Sequence, residues 1–118
     1  MTASVINLPP IERYTTYIVP ILLSNKTGTA IDLTGCTADM MLRSNYKSAV
    51  VGELSTANGA ITIPNPTNGT LYLNLSSSLT GSIAPGTYIY DLLVTFANGN
   101  VVRVIQGSVI VEDGVTHV

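Results

Sequence analysis

The stretch from Gly86 to Val111, GTYIYDLLVTFANGNVVRVIQGSVIV, decides the fold. Two alternating runs, Thr87 to Phe96 and Val101 to Val111, flank Asn98-Gly99, a pair suited to a two-residue type I′ turn because both residues tolerate positive φ. Pairing Ala97 with Asn100 places Tyr88, Tyr90, Leu92, Val94 and Phe96 against Val109, Gly107, Ile105, Arg103 and Val101 on one face. That face is expected to be core, with Gly107 leaving room for the Tyr90 ring. Arg103 is its misfit, and its stem is expected to lie on apolar surface while the guanidinium reaches solvent. A three-residue turn would move this register by one. The reverse face then carries Ile89, Leu93, Val102 and Val104, a candidate protein-interface patch to be covered by another chain or by a local loop. The opposite assignment would leave Tyr88, Leu92 and Phe96 in water at about 1.5 to 3 kcal/mol each, and is disfavoured.

Outward from this ribbon the same grammar continues. Apolar or alternating runs fall at Tyr14 to Leu23, Thr37 to Arg43, Ala49 to Leu54, Ala60 to Ile63 and Thr70 to Leu75, with Met40 and Leu42 on the core side. Ser24-Asn25-Lys26-Thr27-Gly28, Asn58-Gly59 and Asn65-Pro66-Thr67-Asn68-Gly69 punctuate them as turns. Seven short strands and no sustained helical period predict an all-β sandwich or barrel, with Ser76 to Ile83 the one stretch expected to coil into a helical turn. Residues 1–10 are expected to form an extended N-terminal arm rather than a core strand. Pro9 and Pro10 remove two donors just before the first long run, and both are candidate contacts to a neighbour.

The whole chain is 118 residues, one domain by length. Only 10% of it is charged, against about 25% in ordinary soluble domains, while 46% is hydrophobic. That composition excludes intrinsic disorder, and two Lys and three Arg in a chain of net charge −2 cannot build a nucleic-acid surface. The opening MTASVINLPPIER has neither a basic nor an apolar leader region, and no apolar run reaches membrane-spanning length, so synthesis in a cytoplasm without membrane contact is expected. Cys36 is the single cysteine, which rules out an internal disulfide and suits a small buried hydrophobe.

Catalytic patterns are sparse. The one histidine, His117, stands next to the last residue, out of reach of a Ser or Cys triad. The seven acids are Glu12, Asp32, Asp39, Glu53, Asp91, Glu112 and Asp113; they are scattered in sequence, and Glu112-Asp113 reads as a solvated turn. No catalytic residue, metal site or cofactor is assigned, and no enzymatic activity is expected. Asn25-Lys26-Thr27, Asn68-Gly69-Thr70 and Asn74-Leu75-Ser76 match the glycosylation pattern but read as turns and strand ends.

The segment Ala84-Pro85-Gly86-Thr87-Tyr88-Ile89-Tyr90 resembles the entry to the penultimate strand of immunoglobulin-like sandwiches, where a corner tyrosine ties its hydroxyl back to the preceding backbone. Tyr88 would be that tyrosine, and Tyr90 would stand where antibody domains place a cysteine. Three phrases extend the resemblance over Ile11 to Thr116: AIDLTGCTADMMLR at Ala30 to Arg43, GTYIYDL at Gly86 to Leu92, and GNVVRVIQGSVIV at Gly99 to Val111. Together they are similar to small immunoglobulin-like structural proteins of tailed bacteriophages, in particular the N-terminal domain of phage baseplate upper proteins. The resemblance implies a disulfide-free sandwich that serves as a virion building block. Its expected partners are other virion proteins on tail, baseplate or fibre, or further copies of itself as a homo-oligomer. No helical coil or receptor-binding module follows in the chain, so the virion role is the firmer expectation and the baseplate role the weaker. A head or neck decoration protein is one alternative. Another is a carbohydrate- or host-receptor-binding module that works through loops such as Asn65 to Gly69.

Overall fold

A computed structural model describes residues 4–24, 28–45 and 47–115. His117, Asn25-Lys26-Thr27 and the first three residues of the expected arm lie outside the described residues. Among the described residues there are nine strands: β1 (Ser4–Val5), β2 (Ile11–Glu12), β3 (Tyr17–Leu22), β4 (Thr37–Arg43), β5 (Gly52–Ser55), β6 (Ile61–Asn65), β7 (Thr70–Leu75), β8 (Gly86–Thr95) and β9 (Val101–Glu112). The seven expected runs each become a strand, with ends displaced by up to three residues. The expected helical turn is α1 (Ser77–Gly81), capped by the Ser76 hydroxyl accepting from the Leu79 amide. No helix among the described residues is long and apolar enough to cross a membrane.

The strands form two sheets. The larger runs β9-β8-β4-β5 with β1 and β2 both on the outer edge of β9, and the smaller runs β3-β7-β6. Period-two alternation dictates which side of each strand faces inward. In β4, Ala38, Met40 and Leu42 are buried while Thr37, Asp39 and Met41 are exposed. Tyr88, Tyr90, Leu92 and Val94 of β8 meet Tyr17, Ile21, Leu71, Leu73 and Leu75 of the smaller sheet's strands in one core. The Tyr88 hydroxyl donates to the Ala84 carbonyl at 2.6 Å, the expected corner tie. This strand order and packing are those of an immunoglobulin-like β-sandwich, with Cys36 a free thiol. Its edges are blunted: Pro20 and Pro64 interrupt the outer strands of the smaller sheet, and β5 has only four residues.

Two expectations are corrected. The hairpin turn has three residues, because the Phe96 amide donates to the Asn100 carbonyl at 2.8 Å and Gly99 takes the left-handed φ of +91°. The strands therefore leave the turn one position out, pairing Val94 with Val102 and Leu93 with Arg103. A β-bulge at Val104 restores the expected register, so that Leu92, Tyr90 and Tyr88 do face Ile105, Gly107 and Val109. The bulge resolves the misfit: Arg103 moves to the outer face and Val104 is buried to 5% exposure. Val102 follows Val94 and packs on the core, and Phe96, near the turn, is half-buried rather than inside.

The second correction concerns the arm. Residues 4–8 run parallel to β9, with Ser4 opposite Ile105 and Val5 opposite Gln106, and the Ile6 and Leu8 amides donate to the carbonyls of Gln106 and Ser108. Leu8 is buried, and β2 resumes the pairing with Ile11 opposite Val111. Pro9 and Pro10, which cannot extend the ladder, sit exposed between the two stretches.

Candidate protein interface

The core uses one face of the larger sheet and leaves the other to solvent. Three rows of side chains cross β4, β8 and β9 on that outer face. Asp39, Leu93 and Arg103 form one; Met41, Asp91 and Gln106 the next; Arg43, Ile89 and Ser108 the third. Ile89 and Leu93 are half-buried, Met41 is 36% exposed, and Asp39 is exposed. Of the four residues expected to make the apolar patch, the fold therefore keeps Ile89 and Leu93 on this face. Val102 and Val104 turn inward for the register reasons given above, and Met41 takes their place beside Ile89 and Leu93.

Charges frame the apolar centre. Arg103 Nε donates to Asp91 Oδ2 at 2.9 Å, a diagonal pair that a two-residue turn would have forbidden. Arg43 donates from Nη1 to the Ser48 carbonyl at 2.7 Å, which holds the guanidinium beside Met41. An open groove of about 560 Å³ runs along the sheet between Arg43 and the N-terminal segment, with Val5, Met41 and Ile89 supplying apolar wall and Asp91, Gln106 and Ser108 polar floor.

The far wall of this groove exists because of buried tyrosines. Tyr90 donates to the Ile6 carbonyl, and Tyr17 donates to the Pro9 carbonyl at 2.7 Å. Burial pushes both phenols up to about 12, Tyr17 further loaded by its neighbour Tyr90, so both keep the proton they donate. Gly107 lies opposite Tyr90 as expected, yet its missing side chain makes room for backbone rather than for the ring. A Cβ there would collide with the Ile6 carbonyl. Asn7 closes the wall by accepting from the Ser108 hydroxyl at 3.1 Å.

Arg13 went unremarked in the sequence. It is a half-buried tie at one end of the sandwich, bonding the Gly81 carbonyl at 2.8 Å and Asp113 at 3.0 Å. Asp113, expected as part of a solvated turn, is thereby recruited. Among the described residues no three His, Cys, Asp or Glu side chains gather where they could hold a metal ion. The Asn65 to Gly69 loop is fastened to the body, since Leu23 donates to the Gly69 carbonyl and Leu33 to the Pro66 carbonyl, both at 2.8 Å.

No protein family matches the sequence, and no curated protein matches it. Among solved structures, the chain is similar to CopC from Methylosinus trichosporium OB3b at 12% identity and a TM-score of 0.48, over 92% of this chain and 89% of that one. It is also similar to murine CRIg at 10% identity and a TM-score of 0.40, over 92% of each chain. At such identity and TM-score neither likeness bears on what this chain does.

Proposed function

We propose that this domain is a non-enzymatic structural protein of a tailed-phage virion, an assembly or adaptor module that docks onto tail, baseplate or fibre proteins. The observation that carries the reading is the outer face of the larger sheet. Ile89, Leu93 and Met41 are left partly in water there, between Asp39 and Arg43, in a chain of which only 10% is charged. A partly apolar face of this kind is more favourable when another protein covers it. The phrases at Ala30 to Arg43 and Gly99 to Val111 that resemble phage structural proteins contain β4 and β9, two of the strands that build this face.

The test is composition of particles. Virions purified from cells that carry the gene in its natural setting, digested and analysed by mass spectrometry, are expected to contain this chain in a fixed ratio to their main structural proteins. Its absence from purified particles overturns the proposal.

A further inference from the structure

We propose that the outer face of the larger sheet pairs with the same face of a second copy of this chain, in a two-fold dimer keyed by Asp39 and Arg43. The inference rests on the assembly reading for its biological use and names the partner. Along β4 the outward positions read Asp39, Met41, Arg43: acid, apolar, base. A two-fold axis lying between two such faces, along the row Met41–Asp91, reverses the strand direction of the second copy. Asp39 of each copy then meets Arg43 of the other, and Met41 meets Met41.

The neighbouring strand follows the same symmetry. Leu93 lies beside Asp39 and Ile89 beside Arg43, so the axis that joins the charges also brings Leu93 onto Ile89 of the second copy. Two attractive charge pairs and three apolar contacts, Met41 on Met41 and Leu93 on Ile89 twice, thus arise from one operation, as an isologous interface requires. Two like-charge meetings lie on the axis: Asp91 on Asp91, relieved within each copy by the Arg103 bridge at 2.9 Å, and, at the sheet edge beside Met41, exposed Glu53 on Glu53, which weakens the pairing. Four strands at about 4.8 Å and seven residues at about 3.3 Å make a patch of roughly 19 by 23 Å. That is small for a stable dimer, so a micromolar or weaker association that salt weakens further is expected.

Sedimentation of the full chain across a concentration series, in low and high salt, tests this together with D39K and R43E. Each substitution alone sets like charges against each other, and each is expected to weaken dimerisation at least tenfold. Mixing the two variants restores complementary pairs at both ends, so a heterodimer of near wild-type strength is expected. Thermal unfolding establishes that both variants are folded. If R43E loosens the turn at Ser48, D39K alone still decides, through loss of the dimer without loss of fold. A chain that stays monomeric at the highest concentration, a dimer indifferent to D39K, or two folded variants that fail to rescue one another overturns the proposal. Such a failure leaves the particle-composition test untouched, since the same face can dock a different virion chain.

Discussion

The Tyr90 hydroxyl donates to the carbonyl of Ile6, 84 residues away in sequence, and that bond joins the middle of the sandwich to its N-terminal edge. Its partner would otherwise be a carbonyl held so close to Gly107 that a Cβ there would collide with it. Replacing Tyr90 by Phe keeps the ring and removes the donor, and should cost about 1 to 3 kcal/mol in urea unfolding. Tyr90→Ala also leaves a cavity and should cost about 3 to 5 kcal/mol. An unchanged midpoint for both would mean the hydroxyl contributes nothing to holding the edge.

Gly107→Ala examines the same edge from the other side. The added methyl collides with the Ile6 backbone and can be accommodated only if residues 4–8 move off β9. The sandwich is expected to survive with a loss of about 1 to 3 kcal/mol. Hydrogen exchange at the Ile6 and Leu8 amides, which donate to Gln106 and Ser108, is expected to be slow in the wild type and fast in the variant.

The bulge separates two residues that sequence reading had put side by side. Val104 is 5% exposed, whereas Leu93 stands on the outer face. Val104→Lys should therefore destabilise the fold by roughly 3 kcal/mol or more, and Leu93→Lys should stay within about 0.5 kcal/mol of wild type. Equal losses in chemical denaturation would contradict the bulge.

Alkaline pH addresses both tyrosines that hold the N-terminal segment. Tyr17 and Tyr90 are raised from 10 to about 12 in the folded chain, so between those values the unfolded chain releases protons that the folded chain keeps. The stability they contribute is fully present below pH 10 and declines as pH rises toward 12. Urea midpoints should fall across that interval, and the fall should be shallower in Tyr17→Phe. A midpoint constant through pH 12 would show the phenols are not buried donors.

Much of this fold was legible. In β4 and β8 the strict alternation of Ala38, Met40 and Leu42, and of Tyr88 through Val94, announces which side is core, since period two is a local property. The Asn98-Gly99 turn was legible as a turn and not as to its length. Three residues rather than two, with the bulge that compensates, are chosen by the cost of burying Arg103 and leaving Val104 outside, a balance struck across two strands. The place of residues 4–8 was hidden for a similar reason. Parallel pairing to β9 joins positions about 100 residues apart, and Pro9-Pro10 locally signals an extended segment whether or not it is docked. On the interface, Ile89 and Leu93 could be read from the ribbon alone. Asp39, Met41 and Arg43 became part of it once β4 was seen to lie beside β8.

The claim that this face is an assembly surface is tested most directly by competition during particle formation. Cells producing particles would express wild-type chain and a Leu93→Lys/Ile89→Lys variant in equal amounts, distinguished by mass. The variant is expected to be folded and soluble in the cell extract at the wild-type level while purified particles contain at least tenfold more wild type. Equal incorporation of the two chains would contradict it.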